Sequence, residues 1–218
     1  MKKFLIPLLF PFFLWSQIDR DGDFQIWNWD FVSKQITPEW SLLSYLEFRW
    51  GDNASKLYRT SLLLEAIYQP CPWLGLAPGY RQVWLRVPLN SDHWRPEYTP
   101  LADIYFFLTP SDWEITNRNR IEYRILENDP IRWVYRNRIR IVPPWNFTSL
   151  EITPFIENEI FIRESRGLNE DRLSGGFLMN LYENLSGSLF YMARFQKQRD
   201  PSQWIHQNVL NISLFLAF

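Results

Sequence analysis

The chain has 218 residues, 22% of them charged, with a formal net charge of -1. That is enough for one domain, and the near-neutral balance argues against nucleic acid as a partner, because duplex binding needs a net basic surface. One cysteine (Cys71) and two histidines (His93 and His206) exclude a disulfide framework and leave a transition-metal centre without its usual ligands, so no cofactor or metal is expected.

In chain order, Met1-Lys-Lys is followed by an almost unbroken apolar run from Phe4 to Trp15, with the small residue Ser16 after it. This pattern predicts a secretory signal peptide over 1–16, because the run falls short of the roughly 20 residues a spanning helix needs. Pro7 and Pro11 would break a buried helix there. Residues 17–37 are expected to form an N-terminal segment or partial strand. Their alternation through Trp27 and Trp29 resembles a strand, yet an eleventh strand would break the even count of an antiparallel barrel.

From 38 to 218, strand-like runs alternate with punctuation. Strands are expected near 40–50, 56–69, 73–87, 98–109, 112–127, 131–142, 149–163, 171–183, 187–198 and 204–218. Four Pro-containing turns run directly into Trp40, Trp73, Trp113 and Trp145, whereas the intervening connections read as longer or more charged. The terminal run Leu210-Asn-Ile-Ser-Leu-Phe-Leu-Ala-Phe218 puts an apolar residue at every second position of one face. A long uncharged edge of this kind is hazardous in a soluble protein and suits a strand that closes a membrane barrel. The fold expected is therefore all-β: a transmembrane, antiparallel, up-and-down barrel of ten strands, with twelve as the alternative. Short periplasmic turns, longer external loops and a belt of Trp40, Trp73, Trp113, Trp145 and Phe218 at the membrane interface complete it. The plainer alternative is that Pro and Trp cap the strands of a soluble sandwich.

The most informative constellation lies between residues 114 and 163. On one parity stand Glu114, Arg118, Arg120, Glu122 and Arg124, then Arg132, Arg136, Arg138 and Arg140, then Glu151, Glu157, Glu159 and Arg163; Ile, Tyr and Trp occupy most of the other. Arginine facing lipid would cost about 2–4 kcal/mol at mid-membrane, so the charged parity is expected to point into the lumen. Glu47, Arg49, Arg59, Glu65, Arg81, Asp103, Arg172 and Arg194 fall on the inward parity of other strands. Side chains on adjacent strands lie about 5 Å apart, within reach of Arg–carboxylate forks. Such a lattice either plugs the barrel or, through its surplus of arginine, passes small anionic solutes. No catalytic residues are expected: the Ser91-Asp-His93 run is too local for a triad, and arginines beside the paired Glu residues would hold them ionised. An outer-membrane enzyme acting on lipid or envelope substituents, and a soluble lipocalin-like binder, are the competing readings.

The runs Arg118-Asn-Arg-Ile-Glu-Tyr-Arg124, Tyr135-Arg-Asn-Arg-Ile-Arg140, Glu157-Asn-Glu-Ile-Phe161, Pro78-Gly-Tyr-Arg81 and Leu46-Glu-Phe-Arg49, with the terminal strand, resemble the bacterial outer-membrane β-barrel family catalogued as domain of unknown function 2490. The resemblance spans essentially the whole mature chain and implies a barrel in the bacterial outer membrane after export. It implies no activity and supplies no site residues. The partners expected are outer-membrane lipid, the barrel-assembly machinery acting on the C-terminal strand, and small anionic solutes.

Overall fold

The computed structural model describes residues 20–218 except 90, 149–150, 165 and 199–202; the expected signal peptide over 1–16 lies outside the described residues. Eleven strands follow one another: β1 (Phe24–Gln35), β2 (Trp40–Gly51), β3 (Lys56–Cys71), β4 (Leu74–Arg86), β5 (Trp94–Leu108), β6 (Glu114–Leu126), β7 (Arg132–Val142), β8 (Thr153–Arg163), β9 (Gly167–Tyr182), β10 (Leu185–Lys197) and β11 (Trp204–Ala217). Each pairs with its sequence neighbours in antiparallel fashion, and β1 pairs with β11 in parallel to close the barrel.

The strand count therefore corrects the expected ten. An even count is needed only when first and last strands meet antiparallel; an odd count closes when they run the same way, and that is the seam formed here. The segment expected to be an N-terminal segment or partial strand supplies the full closing strand. Its start is pinned by Asp21-Gly-Asp23. Gly22, at φ +75°, donates its N–H to the His206 carbonyl at 2.7 Å, and Asp21 accepts the His206 N–H at 2.8 Å. Asp23 accepts the backbone N–H groups of Asp52 and Asn53, capping the left-handed turn between β2 and β3. At the far end of the seam, Phe218 exchanges backbone hydrogen bonds with Ser33 and Gln35.

The barrel has two mouths. The lower one, where the C-terminus emerges, carries the turns with Trp40, Trp73, Trp113 and Trp145, all exposed with Phe218; Trp113 and Trp145 meet edge-on at 5.8 Å. The upper mouth, where β1 begins, has its own outward aromatics: Trp50, Trp84, Trp133 and Trp204. Length does not separate the two sets of connections as expected. The longest, 143–152, belongs to the lower mouth, and 164–166 at the upper mouth is among the shortest.

Between the mouths the outer wall is apolar. Leu46, Leu64, Ile104, Ile121, Ile139, Ile156, Leu173 and Ile212 are all exposed. Outward polar side chains pair with one another. Asn119 joins Asn117 (2.7 Å), Tyr135 (2.6 Å) and Asn137 (2.9 Å), Asn158 donates to Asp171 (2.7 Å), and Asn28 donates to Asp30 (3.2 Å). The inside carries most of the charges and one cluster of rings. Gly176 permits that cluster, because a Cβ there would overlap Phe190 and the Leu189 carbonyl oxygen.

Candidate functional site

Strand register sets a ring of polar side chains halfway around the lumen. Tyr105, Arg118, Arg138, Glu159, Arg172, Arg194 and Gln207 stand opposite one another on β5 to β11. This register places Arg118 against Arg138 and Arg120 against Arg136, pairs that repel. Acids from flanking strands offset the repulsion. Asp103 faces Arg120 from β5, and Glu159 and Glu157 face Arg138 and Arg140 from β8.

Each acid serves several cations. Glu122 binds Arg81 at 2.9 Å, Arg124 at 2.8 Å and Arg136 at 2.7 Å. Glu159 binds Arg118, Arg136 (2.8 Å) and Arg172 (3.3 Å), and Glu170 continues from Arg172 to Arg194 (2.8 Å), which donates to Gln207. Arg120 is held by Asp103 (2.8 Å) and Glu65. Through a 3.9 Å approach of Arg120 to Glu122, the network runs unbroken from β3 to β11. A second centre is Glu47, which accepts from Trp29 (3.1 Å), Tyr45 (2.7 Å), Arg49, Arg59 (3.0 Å) and Ser61 (3.1 Å). Buried ions require this degree of pairing, since removing a charge from water costs several kcal/mol, ~20 kcal/mol in the idealised limit.

The structure brings together most of the residues singled out from the sequence. Arg118, Arg120, Glu122, Arg136, Glu157 and Glu159 are buried in the lumen, and Arg124, Arg138, Arg140 and Arg163 are half-buried around it. Three differ. Glu114 and Arg132 open their strands and are exposed, Arg132 pairing with Asp129 at 3.3 Å; Glu151 precedes β8 and is exposed at the lower mouth. Parity fixed their side of the wall but carries no information about depth.

The group that sequence reasoning missed comes from β1. Trp27 is fully buried, with the Arg49 guanidinium 3.6 Å from its ring centre and those of Arg172 and Arg194 at 5.0 and 5.6 Å. Its indole N–H donates to Gln25, which donates to Asp23. Trp29, Phe155, Phe190 and Met192 complete the cluster of rings and apolar side chains. The signal was present in the alternation of Gln25, Trp27, Trp29 and Phe31, but its sense is inverted, with Asn28 and Asp30 outside.

Three cavities follow one another along the lumen. The upper cup, about 300 Å³, is walled by arginine; the lower, about 770 Å³, is mainly apolar, with Phe31, Leu43, Ile67, Phe107 and Phe215. Between them lies a space of about 90 Å³, room for about three waters. Arg49, Arg81, Arg136 and Arg172 line both the upper and the middle spaces, and Phe31, Leu43, Tyr105 and Arg138 both the middle and the lower. Those two sets are the partitions. The histidines stand apart: His93 is exposed in the β4–β5 connection, and His206 lies on the outer face of β11 with its ring 5.1 Å from Phe195. Among the described residues no group of three or more His, Cys, Asp or Glu is placed to hold a metal ion.

A family model described as a protein of unknown function, DUF2490, matches residues 24–205. No curated protein and no solved structure matches the chain.

Proposed function

The chain belongs to the DUF2490 family of proteins of unknown function, and from that premise we propose that it is an outer-membrane barrel whose lumen is shut by its own side chains. In this reading residues 1–16 direct export, β11 is the strand offered to the assembly machinery, and the barrel neither conducts solutes nor catalyses a reaction.

One observation carries the membrane assignment. A belt of exposed Leu, Ile and Phe lies between two rows of outward Trp, while the arginines of the barrel wall face inward. Apolar area of that extent in water would be unfavourable by about 25 cal/mol per Å², and contiguous exposed patches beyond a few hundred Å² mark a binding or membrane surface. In hydrocarbon the same surface is satisfied, and the outward amides of Asn119 and Asn137 satisfy one another where no water is present. Trp at both rims matches the headgroup depth that indoles favour. The closed lumen is supported by the middle space, which is too small for an organic solute.

Heat-modifiable migration tests the first half. Membrane-fraction protein should run faster unheated than boiled, and a signal-less product that stays soluble without detergent refutes the membrane reading. Planar-bilayer recording tests the second. Silence is expected, and a steady anion-selective current weakened by Arg136→Ala would replace the closed lumen with a pore.

A further inference from the structure

We propose that the upper cup is a binding site for a multiply charged phosphate group, as in a phosphomonoester or pyrophosphate. The site goes beyond the function proposed above and does not depend on membrane insertion.

Charge is the first ground. Ten arginines line the cup against three carboxylates, Glu97, Asp129 and Glu170. The carboxylates that these arginines reach outside the lining, Glu47, Glu122, Glu159 and Asp92, bring the acids to seven and leave an excess of three positive charges. Asp92 is already committed: its hydrogen bond from Arg86, with Lys56 close by, holds its carboxyl below the usual carboxylate range.

Unpartnered donors are the second and independent ground. Arg49 and Arg81, at 6% and 3% exposure, each bury an Nε–H with no partner, although one terminal nitrogen of each is bound, to Glu47 and Glu122 respectively. Both side chains form the floor of the cup. Arg163 at its wall makes no salt bridge and no side-chain hydrogen bond among the described residues. A buried donor left unsatisfied is unfavourable, and guanidinium forks match the paired oxygens of phosphate and carboxylate. Size and charge together select between those. About 300 Å³ holds a compact group with a small organic body, and a phosphate monoester or pyrophosphate concentrates two or more charges there, whereas a monocarboxylate brings one. The partition below makes the cup a dead end, so the ligand binds and leaves by the same mouth.

The test is isothermal titration of the purified barrel in neutral detergent micelles with sodium pyrophosphate. Saturable binding that weakens as salt rises is expected. Arg163→Gln should raise Kd at least tenfold while heat-modifiable migration persists. If that variant loses the folded band, Arg163→Lys takes its place, with a smaller weakening of the same sign because the fork is gone and the charge kept. Absence of binding, unchanged affinity in both folded variants, or citrate binding as tightly as pyrophosphate overturns the assignment. A lipid with a phosphomonoester headgroup in mixed micelles identifies the source. Displacement of pyrophosphate points to a membrane headgroup, and retained pyrophosphate binding without displacement points to a free ligand.

Discussion

Two arcs of the lumen fill the same space by different means. From β3 to β10 it is occupied by guanidinium and carboxylate groups in shared pairs, whereas nearer the lower mouth, where β1 faces β8 and β10, it is occupied by Trp29, Phe155 and Phe190 at ring separations of 5.5 and 5.6 Å. The ionic arc depends on stoichiometry: one acid holds two or three cations, so each loss strands several charges. The aromatic arc depends on volume. Trp27 joins them, presenting its ring to three guanidinium groups and its N–H to the side-chain chain of Gln25 and Asp23.

Both arcs depend on β1, which carries Trp27 at their junction. Deleting residues 20–35 should remove both the seam and the rings, leaving no heat-modifiable band and full protease sensitivity; a surviving closed barrel would mean that β2 and β11 can meet without it. Glu122→Ala should come next, lowering stability by about 3–5 kcal/mol, because Arg81, Arg124 and Arg136 are left without their shared partner. Urea unfolding followed by Trp fluorescence reads this loss, and a change under about 1 kcal/mol would refute the hub.

In the aromatic arc, Trp27→Ala should cost about 3 kcal/mol through lost volume, with Trp27→Phe losing much less. If both cost the same, the ring's value lies in its N–H and not its packing. Gly176→Ala should cost about 1–3 kcal/mol, because the added methyl has only backbone and Phe190 to displace. Arg132→Ala, at an exposed pair with Asp129, should change stability by less than about 1 kcal/mol and mark where the ionic arc ends.

The two arcs also differ in how far the amino-acid sequence reveals them. Arginine cannot face hydrocarbon cheaply, so the parity of Arg118, Arg120, Arg136, Glu157 and Glu159 is enough to orient β6 to β8, and the structure places all five inside. No such rule orients tryptophan, which suits both an interface and a packed interior. On β1 the rings turn inward and Asn28 and Asp30 outward, so a hydrophobicity reading points the strand the wrong way. An even strand count leaves this segment at most a partial strand, since the parallel pairing that permits an odd number links residues nearly the whole chain apart, such as Phe24 and Asn208. The cups lie beyond local pattern for a similar reason: Arg49, Arg81 and Arg163 come from β2, β4 and β8, and only closure brings them to one mouth.

Parallel closure also separates the ends of the described chain. Gly22 lies beside His206 at one rim and Phe218 beside Ser33 at the other, so epitope tags fused at the two ends would report opposite faces of the barrel. A head-to-tail permutant could not use a tight turn; its linker would have to span the 14 residues of β11, about one linker residue for each if fully extended. The seam cannot zip as one more hairpin during chain synthesis, because its two halves are the first and last strands to exist, and circularisation therefore becomes the final cooperative event of folding.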